Sequence, residues 1–483
     1  MKLTNYGIVA LALAIALLCG GCKNTAPSGP VAGLGGATVS KYVSVGNSLT
    51  AGYQSNALFA SAQAYSYPNL ISKQLSRSGA AIGTFQQPLW GDPGSPDANG
   101  NEARYELISW NGPVIGPRLV PAGPPPTLQR SVPWDNLGVP GSVVGDFLDP
   151  TPFAAKAVAR KNPFFLYVLG ADTTRGKTIL AQTIRLNPDL VTFWLGNNDV
   201  LGFATSGGVF PPTYAPTSVT DFTTYYTGSI SFLRAALPNA KIVVGNIPDV
   251  RAIPFFNTVG PKIAASLPAG VYLRYQMHGN TSVAFDSTRF TEANPPLICL
   301  TGSPYASLLG HPTGRWYTDH AYSALPPGID TTKPFGLHPQ NPWPDALVLD
   351  LGEQATAGTA VTNFNGIIAS VASGNKAIVV DMNAFFNGVK ANGYRTSGLV
   401  FTADYISGGL FSFDGVHPSD QGAGVIANQF ILAMNRGYGW SVPLVDVSAL
   451  PSLTVPLSKG ARLSPEIPAG AFGDLEMLWG GGR

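Results

Sequence analysis

The sequence predicts an α/β protein: a three-layer α/β/α sandwich around a mainly parallel, five-stranded sheet, carrying large loop insertions. Three observations lead there. Five apolar runs of strand length recur along the chain, each ending near Gly, Asn or Asp. They are largely continuous apolar runs rather than alternating ones, the pattern of strands buried on both faces. Amphipathic helical patterns lie between and after them, and strands alternating with helices build a parallel sheet with helices on either side.

The first run is YVSVG (42–46), stopped by a glycine and followed by NSLTAGY. SVPWDNLG (131–138) is the second and LVTFWLG (190–196) the third. The segment DFTTYYTGSISFLRAAL (221–237) reads as a helix leading to the fourth, KIVVGNI (241–247). A longer helix over 350–372 precedes the fifth, AIVVDM (377–382). Its Asp350 and Glu353 are spaced as a capping box, and Val361, Phe364, Ile368 and Val371 fall at helical intervals. The last helix spans 418–437, with Pro418 at a first-turn position and Gly437 at its close. Two stretches break the alternation, about 54–130 and 251–345, both rich in Pro, Gly and aromatics. They are too long for simple connections and are expected to wall or cover the strand-end face of a domain spanning 41–440. The tail, 441–483, reads as extended, either pairing at a sheet edge or wrapping the domain. No internal repeat is present.

Composition narrows the function. With 483 residues, 45% hydrophobic and 12% charged, the chain is long enough for one large core or two ordinary ones. Its 56 glycines and 42 prolines imply many loops rather than disorder. A net charge of +2, without a basic stripe, zinc-type Cys/His spacing or a phosphate-cradling loop, argues against nucleic acid, nucleotide and metal. No cofactor is expected.

At the N-terminus, GIVALALAIALL (7–18) has the length of a signal-peptide apolar region and is short for a membrane span. The Gly20-Gly21-Cys22 that follows resembles a bacterial lipoprotein signal, with Cys19 standing where Leu is usual. The resemblance implies a signal over 1–22, lipidation of Cys22 and a flexible tether over 23–40. An ordinary secretory signal with incidental cysteines is the alternative. Lys23, in place of an Asp that would suggest inner-membrane retention, favours the outer membrane of a bacterial envelope. Cys299 is then the one remaining thiol, expected as a small buried hydrophobe because its neighbours are apolar.

In parallel sheets ligands bind beyond the carboxyl ends of the strands, so the residues just after each run come under scrutiny. Ester hydrolysis by serine needs a hydroxyl, a base, a carboxylate to orient the base and donors for the oxyanion. The first strand end offers Ser48 and the second, NLGVPG, offers the backbone N–H of Gly141. The third, LGNND, offers the Asn198 side chain. After the fifth, DGVHPS places Asp414 and His417 three apart across a turn through Gly415, so one imidazole nitrogen can face the carboxylate and the other a serine.

These blocks, VGNSLTAGY, NLGVPG, LGNND and DGVHPS in that order, resemble the GDSL or SGNH hydrolase family, and VVGNIPDV resembles the strand such proteins carry between the last two. The resemblance extends over roughly 40–53, 131–250 and 350–437 and leaves the two insertions unexplained. It implies a flavodoxin-like fold and a serine esterase in which Ser48 is the nucleophile, His417 the base and Asp414 its orienting carboxylate. The oxyanion would be held by Ser48 N–H, Gly141 N–H and Asn198. One departure is Asn47, where the family motif has Asp. The substrate is expected to be a small-molecule, lipid or glycan ester. Carbohydrate O-acetyl ester cleavage, acyl transfer and a non-catalytic envelope-binding role are the alternatives. Asp199 is read as structural, and Asp420 as a first-turn residue of the last helix. His278, His311, His320 and His338 are read as structural rather than as a metal site, and Phe255, Phe256, Trp316 and Tyr317 as packing residues that alternatively line a subsite.

Overall fold

The five apolar runs pair side by side, all parallel, as β1 (Tyr42–Gly46), β2 (Asn136–Gly138), β3 (Leu190–Trp194), β4 (Lys241–Gly245) and β5 (Ile378–Val380). Their spatial order is β5-β4-β3-β1-β2. This is the doubly wound, flavodoxin-like order, whose switch point lies between the first and third strands. Gly46 is level with Gly138 on one side and Trp194 on the other, so the residues after β1, β2 and β3 emerge together at one edge. A computed structural model describes residues 33–453 apart from 98–99, 110–113, 172, 210–214, 278–284 and 289–294. The expected signal peptide, Cys22, residues 23–32 of the tether, His278 and the tail beyond 453 lie outside the described residues.

Eight helices serve the description: α1 (Ser48–Ala51), α2 (Tyr67–Arg77), α3 (Ile179–Arg185), α4 (Asn198–Thr205), α5 (Val219–Ala236), α6 (Leu351–Gly374), α7 (Met382–Asn392) and α8 (Asp420–Tyr438). Neighbouring residues of a strand point to opposite faces, and β3 displays both layers. Phe193 meets Phe147 and Tyr226 of α5 at ring distances of 5.1 and 5.8 Å. Trp194 meets Tyr67 of α2 and Phe430 of α8 at 5.7 and 5.8 Å on the other face. Within the first layer α5 and α6 lock through Phe222 and Phe364, stacked at 3.9 Å. The three-layer α/β/α expectation therefore holds.

Several boundaries differ from the sequence reading. The expected capping box of α6 is formed: Glu353 N–H donates to Asp350 Oδ1 at 2.8 Å and Asp350 N–H to Glu353 Oε2 at 2.7 Å. The last helix, however, begins after Pro418, with Ser419 Oγ accepting from Gly422 N–H at 3.0 Å, and ends at left-handed Gly439. Gly437 stays inside the helix because a Cβ there would lie 2.1 Å from Ile378 Cδ1; its absence lets α8 settle onto β5.

The stretch 54–130 is not all insertion, since α2 within it belongs to the layer shared with α8. Residues 33–40 are docked rather than a free tether: Val39 is buried, and Ser40 N–H and Oγ–H donate to Asp189 Oδ2 at 2.7 and 2.6 Å. The described part of the tail wraps α8. Asn428 exchanges bonds with the backbone of Val445 (Nδ2–H to O 3.0 Å, N–H to Oδ1 2.7 Å), and Asn435 does the same with Val442 (2.8 and 2.9 Å).

In the second long stretch the hairpin Leu273–Gln276 with Phe285–Thr288 and the pair Leu297–Ile298 with Val348–Leu349 form small antiparallel pieces apart from the main sheet. Phe255, Phe256, Trp316 and Tyr317 are buried there as packing residues. Cys299 is fully buried, and burial pushes its thiol pKa up. No helix among the described residues is long and apolar enough to cross a membrane.

Candidate active site

At the end of β1 the chain turns abruptly into α1. A Cβ on Gly46 would lie 1.9 Å from Thr50 Oγ1, so only glycine admits the turn. Asn47 caps α1, its Oδ1 accepting from Leu49 N–H at 3.1 Å. Ser48 is the first helical residue, its N–H among the first-turn donors without an intrahelical partner.

Ser48 Oγ lies 2.8 Å from His417 Nε2, and His417 Nδ1 lies 2.9 Å from Asp414 Oδ2. A carboxylate can only accept, so Nδ1 carries the proton toward Asp414 and Nε2 presents its lone pair to the serine hydroxyl. All three residues are buried. Asp414 accepts three backbone bonds besides: Val416 N–H (2.9 Å) and His417 N–H (2.8 Å) at Oδ1, and Asn56 N–H (2.9 Å) at Oδ2. Burial alone raises its pKa, but the adjacent imidazole and the His417 and Val416 N–H groups outweigh it and hold the carboxyl below its ordinary value.

After β2, Val139 N–H and Ser142 Oγ–H donate to Gly46 O at 3.0 and 3.2 Å, tying this loop to the serine turn. Gly141 sits at φ 77°; its carbonyl accepts from Arg160 at 2.9 Å, and its N–H has no partner among the described residues. After β3, Asn198 opens α4 and donates through Nδ2 to Ser142 O at 2.9 Å, which leaves the second amide proton unused. Asp199 is structural, accepting from Val144 N–H and Thr217 Oγ–H at 2.9 Å each; burial raises its pKa to about 7.

These strand ends border a cleft. Its apolar wall is Leu49, Leu201, Ile247, Pro248, Val250, Ile253, Phe386, Phe411 and Val416; its polar members are Asn47, Ser48, Asn197, Asn198, Asp249 and His417. The structure thus brings Ser48, Asn198 and His417 to one cleft, with Asp414 behind His417, while Gly141 is not among the lining residues. Asp249 is engaged by the Arg251 guanidinium at 2.6 Å.

Sequence reasoning missed the residues that brace this arrangement. Tyr53 packs its ring 4.8 Å from that of His417. Ser55 and Asn56 take positive φ values of 49° and 69°, and Ser55 N–H donates to Ser412 Oγ at 2.8 Å. The signal available was a polar pair directly after the serine helix, in YQSNA. Asn197 was passed over beside Asn198. The other described histidines form no metal cluster: His320 Nδ1 bonds Trp316 O at 2.7 Å, His338 Nδ1 accepts from Gln340 N–H at 3.2 Å, and no group of three metal-ligating side chains occurs among the described residues.

Fold and site together define a flavodoxin-like α/β protein with a Ser-His-Asp hydrogen-bonded chain at the strand ends. A solved structure of an acetyl xylan esterase is similar to this chain with a TM-score of 0.30 and 14% identity, over 81% of this chain and 98% of that one. No family model and no curated protein matches the sequence.

Proposed function

We propose that this protein is a serine esterase that hydrolyses carboxylic esters, with Ser48 as nucleophile, His417 as general base and acid, and Asp414 as the carboxylate that orients His417. The observation that carries the reading is the continuous chain Ser48 Oγ–His417–Asp414, at 2.8 and 2.9 Å, opening on an apolar cleft. His417 Nε2 takes the Ser48 proton as Oγ attacks the ester carbonyl, and Asp414 stabilises the imidazolium so formed. The proton then passes from Nε2 to the departing alcohol. Water, activated by the same nitrogen, attacks the acyl-serine and releases the acid.

The oxyanion is held by the N–H groups of Ser48 and Gly141 and by the spare Asn198 amide proton; one such donor contributes about 3 kcal/mol. The apolar wall supports an acyl chain in the cleft, favouring a lipase-like or esterase-like substrate. The Gly20-Gly21-Cys22 sequence supports lipid anchoring at Cys22, and Lys23 after it favours the outer membrane of a bacterial envelope. Incorporation of labelled palmitate, lost in Cys22→Ala, tests the anchor.

The test of activity is hydrolysis of nitrophenyl esters from acetate to palmitate by the detergent-solubilised chain and by Ser48→Ala. Ser48-dependent turnover is expected. Absence of turnover, together with no labelling of Ser48 by a fluorophosphonate, would overturn the assignment.

A further inference from the structure

Within the apolar cleft one polar side chain has nothing to bind. Asn197 precedes α4 in a capping position, where an asparagine oxygen ordinarily accepts from the first-turn N–H groups. It does not: its backbone is helical (φ −62°, ψ −44°) and its side chain makes no cap bond. Both Oδ1 and Nδ2 are without a hydrogen-bond partner, although the residue is only 6% exposed and lines the cleft beside Asn198 and Ser48. Buried polar atoms left this way are costly, and nearly all in folded proteins find a partner.

We infer that Asn197 is a specificity-determining residue whose carboxamide binds hydroxyl groups on the alcohol part of the ester, so that the preferred substrates are esters of polyhydroxy alcohols. The inference rests on the esterase reading above and adds the alcohol side to it. The chemistry selects that side. A carboxamide offers one acceptor and donors close together, so its match is a pair of neighbouring hydroxyls, one donating to Oδ1 and one accepting from Nδ2. An ordinary acyl chain carries no hydroxyl, and its carbonyl oxygen is already assigned to Ser48, Gly141 and Asn198. A glycerol or sugar alcohol carries hydroxyls next to the esterified oxygen. A site built to bond a substrate hydroxyl discriminates against the analogue lacking it, because its own polar atoms are then left buried and unpaired.

The experiment measures kcat and KM of the full chain on glycerol 1-monobutyrate, ethyl butyrate and ethyl 3-hydroxybutyrate, for the native protein, Asn197→Leu and Asn197→Asp. The native protein is expected to favour the glycerol ester over ethyl butyrate by roughly tenfold or more in kcat/KM. Asn197→Leu is expected to collapse that ratio toward one, mainly through KM for the glycerol ester. Asn197→Asp, which keeps the acceptor and loses the donor, retains part of it and covers a Leu variant that fails to fold. An unchanged ratio in both variants overturns the inference, as does a preference for the 3-hydroxybutyrate, which would move the hydroxyl to the acyl side. If the native protein turns over none of the esters and Ser48 resists fluorophosphonate, the esterase reading falls first and this inference with it. Labelling of Ser48 with an unchanged ratio sinks this inference alone.

Discussion

Replacing Asp414 by Asn keeps the side-chain shape and exchanges one acceptor oxygen for a donor amide, and the surrounding bonds decide which oxygen is exchanged. An amide at the Oδ1 position would confront two backbone donors, Val416 N–H and His417 N–H. At the Oδ2 position it confronts one backbone donor, Asn56 N–H, and the His417 ring, which can answer by moving its proton from Nδ1 to Nε2. The second arrangement leaves one buried N–H unpaired instead of two, so it wins. Its cost is one unsatisfied donor and the charge assistance lost at the remaining bonds, about 2–3 kcal/mol. The tautomer change leaves Nε2 protonated against Ser48 and unable to accept its proton. By analogy with the same substitution in serine proteases, kcat falls on the order of 10⁴-fold. Because the Asp414 carboxyl is held below its ordinary pKa in the fold, it contributes stability above the unfolded value of about 4 that is lost as pH falls. Asp414→Asn removes that part of the acid limb. Urea denaturation at pH 7 and pH 4 together with nitrophenyl butyrate kinetics reads all three effects. A folded variant with kcat within tenfold of native would refute the assignment of Asp414 as the orienting carboxylate.

Burial raises the pKa of Asp199 and Asp420 to about 7, and of Asp345 and Glu353 to about 8. The folded chain therefore holds protons that the unfolded chain gives up near pH 4, and stability falls as pH rises from about 5 to 8. The urea midpoint should be lower at pH 9 than at pH 6, with a smaller drop in Glu353→Gln, which can still accept from Asp350 N–H; a midpoint that climbs over this range contradicts the sign. Leu201→Trp fills the cleft from α4 and should move the best nitrophenyl ester to a shorter acyl chain, whereas an unmoved optimum would place the acyl group elsewhere. Asn428→Ala leaves both backbone groups of buried Val445 unpaired, a loss of about 2–4 kcal/mol with new proteolysis between 441 and 453; a change under about 0.5 kcal/mol would show that the tail is not held there.

The sheet was legible because its strands are mostly runs of buried apolar residues, Val43 and Val45, Val191 and Phe193, Val243 and Val244 among them, a signal that depends on burial and survives without knowledge of neighbours. Helix ends were less so. Pro418 and Gly437 carry end-of-helix chemistry, yet Ser419 supplies the cap, and Gly437 serves packing against Ile378, a contact made by a strand distant in sequence. Helix α2 was hidden inside a stretch whose prolines and glycines suggested loop throughout, although Leu70, Ile71 and Leu75 are buried on one face. At the site, the residue types were readable from the blocks after the strands. What was not readable is whatever acts through the backbone: the Asn56 N–H on Asp414 belongs to no motif, and its direction is set by a left-handed φ.

That backbone contact bears on what the two long stretches do beyond packing the core. The turn carrying Asp414 and His417 is closed on itself by Ser412 N–H donating to His417 O at 2.7 Å. From the first stretch, Ser55 N–H reaches Ser412 Oγ at 2.8 Å and Asn56 N–H reaches Asp414. From the second, Phe255 N–H donates to Gly415 O at 3.0 Å. Both stretches therefore grip the one loop that carries His417, the base of the proposed mechanism, while Ser48 and Asn198 stand on strand-to-helix turns. A loop free to move would spend much of its time with His417 out of reach of Ser48, and even an ångström of misplacement is costly to catalysis. Fixing it from two sides removes that loss before any substrate arrives. The two stretches thus first hold His417 in place, and the cleft wall that the second supplies through Ile253 is a further consequence of the same packing.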